Sequence, residues 1–372
     1  MGSSFKSVAR RVVMVAFSNL ICLPAFGAVY TLADVGTPDA VALSSNGIIL
    51  TKTSIIKGGI STPLGLPAGA PYYTPTGINA SGQVVGYGGT YESHYGSNNY
   101  LLSNGVFTNL GSQSDALNPK APARVSINNV GVITGLFNGS PALRIGNTVT
   151  TINSSITPMA INNANLIAGQ AGYIALDTLS TTIHASVYDG VATIRLGDTH
   201  LFYGQSIATA INDTGHVAGY VYGNFKLSGF PYVQPEAALW INGVITLLGT
   251  LTPSPFIIQG PITEAHAINN LDQVVGVAAQ GPEIGGGGPH IPAAFLYSNG
   301  ILSDLNTLIP AGTGFTLQDA VGINDAGLIL VNGVDGNNQP HSFLLTPTPE
   351  PATLSLLTLT SVGLLSRRRN RQ

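Results

Sequence analysis

Short apolar stretches, many alternating with polar positions, run along the chain between clusters of Gly, Asn, Asp and Ser, and no convincing run of helical periodicity lies between the two ends. The pattern predicts many short strands joined by turns. It also repeats. One phrase reads Gly77-Ile78-Asn79-Ala80-Ser81-Gly82-Gln83-Val84-Val85-Gly86 and returns as Ser126-Ile127-Asn128, Ala160-Ile161-Asn162, Ala210-Ile211-Asn212, Ala267-Ile268-Asn269 and Gly322-Ile323-Asn324. A weaker first copy is Leu43-Ser44-Ser45-Asn46-Gly47, and the spacing between copies runs from 34 to 57 residues. A fixed phrase at such a period describes one supersecondary unit used repeatedly.

The phrase predicts a tight hairpin in which the Asn side chain caps the turn and Gly takes the left-handed position that ends it. Where Gly is missing there, the chain has Asn165 or Asp272, the residue types that best tolerate positive φ. A second phrase follows each first one: Tyr100 to Gly111 around Asn104-Gly105, Ala185 to Gly197 around Asp189-Gly190, Ala238 to Gly249 around Asn242-Gly243, and Ala294 to Leu305 around Asn299-Gly300. Asn-Gly and Asp-Gly between apolar runs signal further hairpins. Two hairpins give four strands per repeat, which is what a β-propeller blade needs.

The ends of the array sharpen this reading. The last second phrase, His341-Ser342-Phe343-Leu344-Leu345, stops after one strand, while Tyr30 to Gly36 resembles the missing final one. Pairing them closes the ring and removes an exposed sheet edge. The expectation is an all-β, seven-bladed propeller over residues 29–346, closed by its N- and C-terminal strands; an open β-solenoid is the alternative that needs no terminal exchange.

Composition fits: 46 Gly, 23 Pro and 8% charged residues in 372. Residues 1–28 read as a signal peptide, with Lys6, Arg10 and Arg11 ahead of the apolar stretch Val12 to Leu23 and small residues at Ala25 to Ala28. Cys22 falls in this leader, so the mature body has no cysteine for a disulfide. At the other end, Pro347-Thr348-Pro349-Glu350-Pro351 precedes the apolar run Ala352 to Ser366 and the cluster Arg367-Arg368-Arg369-Asn370-Arg371-Gln372. A proline break, an apolar segment of about one marginal bilayer span and a basic end describe an inner-membrane anchor with the bulk of the chain exported.

This tail resembles the PEP-CTERM sorting signal of Gram-negative bacteria, with Pro349, Glu350 and Pro351, the apolar segment and Arg367, Arg368 and Arg369 in the family's order. The resemblance covers only the last residues, 347–372. It implies an exosortase-type membrane protease as partner, removal of the tail, and delivery to the cell surface or extracellular matrix after transient anchoring; an ordinary C-terminal anchor is the plainer alternative. The repeats resemble extracellular HAF repeats in their hairpin core, Ala210-Ile211-Asn212 through Gly219, although the naming tripeptide survives only as His341-Ser342-Phe343 and Ala294-Phe295. That family implies a secreted repeat protein and hands over no catalytic residues.

Charge narrows the partners. Between leader and tail the body keeps seven basic residues against sixteen acidic ones, with no basic stripe for nucleic acid or an anionic membrane. The seven histidines show no His-Glu-x-x-His spacing, no Gly-x-Ser-x-Gly elbow occurs, and Glu264-Ala265-His266 reads as loop just ahead of a repeat core. The run Gly285 to Gly288 reads as a flexible loop, and Asp335-Gly336-Asn337-Asn338 suits a turn as well as a calcium site. No cofactor, metal site or catalytic residue is expected. Around the second repeat, Tyr72, Tyr73, Tyr87, Tyr91, Tyr95 and Tyr100 cluster; the loop residues Tyr91, Glu92, His94, Tyr95, Asn98 and Asn99 are the binding candidates, with packing as the ordinary role of the others. The reading is an exported noncatalytic surface or matrix protein binding exopolysaccharide or another surface component. The alternative is a propeller glycosidase or lyase, which would need two convergent carboxylates in the channel.

Overall fold

The computed structural model describes residues 13–14, 29–90, 97–112, 124–153, 155–174, 181–197, 205–227, 230–251, 262–280 and 291–348. The leader apart from Val13–Met14, the Pro-Glu-Pro motif, the apolar tail and the Arg block lie outside these residues. Seven antiparallel sheets make seven blades, and the first strands neighbour one another around a closed ring. These inner strands are Ala40–Leu43, Tyr72–Ile78, Ser126–Ile127, Ile156–Ile161, Ser206–Ile211, Ile262–Ile268 and Phe315–Ile323. Val13–Met14 adds a short fifth strand to the outer edge of blade 1, opposite Ile60 and Ser61.

Closure is as the ends of the array predict. Blade 7 takes three strands from the end of the array, Phe315–Ile323, Ile329–Asp335 and Pro340–Pro347, and its outer strand is Tyr30–Asp34, with Tyr30 opposite Pro347 and Asp34 opposite Phe343. The polypeptide ends thus replace the turn between third and outer strands, and Thr348 N–H donates to Val29 O at 2.8 Å. Asn332 and Ser342 of blade 7 fasten the next seam, both bonding to the Ala40 backbone in blade 1.

Hydrophobic packing explains why no blade stands alone. The buried apolar side chains fall into seven clusters, each joining two adjacent blades. Trp240 anchors the seam of blades 4 and 5, its indole N–H bonded to Gly197 O at 2.6 Å. Tyr73, Tyr100 and Phe107 meet edge to face in the seam of blades 1 and 2, the packing role.

The turns carry the chemistry that their residues predict. Gly82, Gly131, Gly215 and Gly327 have φ between 74° and 85°, and their substitutes Asn165 and Asp272 have φ of 64° and 58°. Asn104-Gly105, Asn242-Gly243 and Asn299-Gly300 have positive φ at both residues, the two-residue turn matched to strand twist. Asp189-Gly190 departs from this: its loop runs to Ala192, with the Asp189 carboxylate accepting the N–H groups of Val191 and Ala192. Asp335 likewise caps the N–H groups of Asn337 and Gln339, which is turn chemistry.

Two faces follow from the antiparallel order. Turns from first to second strand and from third to outer strand gather on one face; second-to-third connections and crossings between blades gather on the other. Among the described residues the only helical turn is Leu305–Thr307, and no helix is long and apolar enough to cross a membrane.

Candidate functional site

At the turn face, the repeated Asn residues build a ring around the axis. Each side-chain oxygen accepts N–H groups two and four residues on in its own turn; for Asn162 these are Ala164 at 3.0 Å and Leu166 at 2.9 Å. Each amide N–H then crosses to the next blade: Asn79 to Asn128 O, Asn128 to Asn162 O, Asn162 to Asn212 O, Asn212 to Asn269 O and Asn269 to Asn324 O, all within 2.9–3.1 Å. Asn324 reaches Ser45 O at 3.3 Å. Blade 1 has Ser44 in place of Asn, and Asn46, two residues later, donates to Ala80 O at 2.8 Å and completes the circle.

A second arc outside it runs from Ala80 through Asn129, Asn163, Asp213 and Asn270 to Asp325, each backbone N–H donating to the next side-chain oxygen. It lapses at blade 1, where Ser45 has a shorter hydroxyl side chain and Ala80 has no side-chain oxygen. The two layers, with Leu43 and six Ile residues, line an axial cavity of about 210 Å³. Because these amides and carbonyls are already spent on one another, this mouth reads as a fastening.

Farther along the axis, among the described residues, each inner strand but that of blade 3 carries a β-bulge. At the bulge, Thr76 and Thr209 turn their hydroxyls across to the next blade, bonding Val125 O and Ala265 O. Blade 6 has His266 at this place. Its Nδ1 lies 2.9 Å from Asp319 Oδ1 of blade 7, and its Nε2 is 3.9 Å from Glu264 Oε2. The Asp319 contact is an ion pair with poor hydrogen-bond direction, since Oδ1 is buried without a hydrogen-bond partner. Burial disfavours charge on the imidazole, but Asp319 and then Glu264 outweigh it and push its pKa up to about 9. The ring is therefore a cation at neutral pH.

Other groups of the channel act on one another electrostatically. Burial raises the pKa of Tyr220, the neighbouring Tyr222 and Glu264 add to the rise, and the Arg124 charge opposes it. Burial also raises Tyr87, and Arg124 opposes that as well. Arg124 heads the inner strand of blade 3, so its charge is felt at hydroxyls from blades 2 and 5. Tyr220 and Tyr222 meet edge to face at 5.6 Å. Arg124 and His266 stand among Glu264 and Asp319, and the upward shifts keep the Tyr87 and Tyr220 phenols neutral. Among the described residues this cluster thus offers hydroxyl donors and acceptors, aromatic edges, and two basic groups beside two carboxylates.

Among the binding candidates, residues 91–96, which include Tyr91, Glu92, His94 and Tyr95, lie outside the described residues. Their flank is described: Tyr72 Oη and Ser97 Oγ are 2.8 Å apart, which ties Ser97 to the start of an inner strand. Asn98 is half-buried opposite Gly88 and Ser112. Asn99 is fully buried and donates to Leu136 O at 2.6 Å, so it clamps blade 2 to blade 3.

Glu264 and His266 stand in an inner strand, Ile262–Ile268, a correction of the loop reading. Comparing the repeats position by position would have singled out the two carboxylates: five residues before the turn Asn, Thr74, Thr157 and Ile207 give way to Glu264 and Asp319. Among the described residues no group of three His, Cys, Asp or Glu side chains is placed to hold a metal ion.

Residues 146–342 match the family model described as Protein of unknown function (DUF3466). That span begins in the last turn of blade 3 and ends in the third strand of blade 7. No curated protein matches the chain.

Proposed function

We propose that this chain, which belongs to the family described as Protein of unknown function (DUF3466), is an exported noncatalytic protein of the cell surface or matrix that binds exopolysaccharide. The observation that carries the binding part is the tyrosine-edged cluster of Arg124, Tyr87, Tyr220, Glu264, His266 and Asp319. Neutral phenols and paired charges suit the hydroxyls and faces of sugar rings. Tyr72, bonded to Ser97 and acting on Tyr87, extends the candidate surface. A rigid closed ring is a framework that holds such groups in place.

The glycosidase alternative has one point in its favour, since Glu264 and Asp319 approach each other across two blades. Between them, however, sits the His266 ring, in the space where a scissile bond would lie. The noncatalytic reading accounts for that better.

Export and sorting are supported by the leader and by the Pro349-Glu350-Pro351 tail, with an exosortase-type protease as partner. Fractionation of the native bacterium, with mass spectrometry of the mature C-terminus, tests this. Loss of the Arg-bearing tail with surface recovery is expected, and Glu350→Ala should retain the tail; a full-length chain in the inner membrane of both strains overturns sorting. For binding, Tyr220→Phe and Arg124→Ala should each weaken retention on the native exopolysaccharide by about tenfold, one hydrogen bond's worth. Unchanged retention refutes the channel site, and release of new reducing ends refutes the noncatalytic reading.

A further inference from the structure

Both ends of the propeller leave through the turn face. Thr348 and Val29 together stand where blade 7 would have its third-to-outer turn, and Pro347 packs against the Gly327 turn of the same blade. The same face concentrates exposed aliphatic side chains. Of the thirteen large ones exposed among the described residues, ten sit at or beside first-to-second or third-to-outer turns. The residue following the outer turn is the recurrent one: Ile60, Val106, Val244 and Ile301, with Val191 inside the corresponding loop and Val149 one place later. Val29 takes this place at the broken corner. Exposure is high, 65% at Val106 and Ile301 and 70% at Val244, so neighbouring blades do not cover them.

Single exposed aliphatics are unremarkable, but one at every corner of a seven-fold ring forms a rim. Inside it lies the polar Asn mouth, and charges on this side include Asp189, Asp213, Asp272 and Asp325 against Lys57 and Arg144. An anionic surface is unsuited to that balance.

We infer that, while the tail is anchored, this face rests on a zwitterionic lipid surface, with the aliphatic corners at the headgroup–acyl boundary and the Asn mouth over the headgroups. The inference depends on the anchored-tail reading. Four residue steps separate Thr348 from Ala352, the first residue of the apolar run, which is at most about 14 Å of extended chain. That tether is short compared with the width of the ring, so it holds the turn face, and not the channel's other mouth, next to the bilayer. Aliphatic corners without a basic belt bind through apolar area and not through attraction to anionic lipid.

The test uses the full chain with its tail, Cys22→Ser, and a fluorophore on a single introduced cysteine at Val244, at Ile301 or, on the opposite face, at Asn337. Each protein is reconstituted in phosphatidylcholine vesicles, floated, and quenched with acrylamide. Labels at positions 244 and 301 should be quenched roughly threefold more slowly than the label at 337, and lose that protection when the tail is removed. Equal quenching at all three positions in chains that float overturns the docking face and leaves the anchor standing. Failure to float overturns the anchor and this inference together. Concentration-dependent protection without vesicles assigns the face to a second copy of the chain and overturns the lipid assignment.

Discussion

Asn162 separates two jobs that one side chain performs. It is 3% exposed; its oxygen caps its own turn through Ala164 and Leu166, and its amide reaches Asn212 O in the next blade at 2.9 Å. Asn162→Ser keeps an acceptor for the turn, as Ser44 does in blade 1, where Ile48 N–H bonds Ser44 Oγ at 2.7 Å. It loses the crossing bond and leaves Asn212 O with only the Gly215 N–H of its own turn, which costs about 1 kcal/mol. Asn162→Ala loses the cap as well, adding about 1 kcal/mol by analogy with other side-chain caps. For a ring of this size each kcal/mol lowers Tm by roughly 2 °C, so Ser should cost about 2 °C and Ala about 2 °C more. Thermal unfolding followed by circular dichroism, with both variants and the wild type in one buffer, measures the difference. Equal losses for Ser and Ala would refute the capping role; two neutral variants would refute the idea that the Asn ring fastens the blades.

The seam gives a second expectation: Thr31 and Thr346 are opposite residues, and a disulfide between Thr31→Cys and Thr346→Cys should stabilise the ring by roughly 5 kcal/mol, while deletion of residues 30–34 should expose the third-strand edge and produce aggregation on gel filtration. In blade 5, a Cβ on Gly219 would collide with the backbone carbonyl of Ile207, so Gly219→Ala should destabilise by about 3 kcal/mol in urea unfolding. His266 predicts a pH dependence. Its folded pKa, about 9, lies above the ordinary 6.5, so its stabilisation is complete below about pH 6.5 and is lost as pH rises through 9. Urea midpoints should fall across that window in the wild type and fall less in His266→Gln; identical slopes would refute the ion pair.

The turn chemistry was legible because it is local. Asn79 to Gly82 specify their hairpin within a few residues, and Asn165 and Asp272 even announce their positive φ. Terminal closure was legible because Tyr30 to Gly36 repeats the grammar of an outer strand at the wrong end of the chain. What the Asn amides do was not, since a donor to a carbonyl 34 to 57 residues away leaves no local trace. The channel cluster was hidden for the same reason, plus one more. A bulge shifts the strand period by one residue, so simple alternation does not reveal that His266 and Glu264 share a space with Asp319. Pro75 and Pro158 fit beside these bulges because an inner edge strand has N–H groups with no ladder partner to lose.

Borrowing the outer strand of blade 7 from the start of the chain sets an order of events. Tyr30–Asp34 is made first and must wait for Pro340–Pro347, so the ring cannot shut until the third strand of blade 7 has been made. During that interval blade 7 has no outer strand, and the seam with blade 1 cannot form. A chain cut short at any earlier blade keeps both edges open and stays a target for proteases. In a chain made from its N-terminus, closure waits for the third strand of blade 7, and the circular fold serves as a built-in check that all seven blades are present.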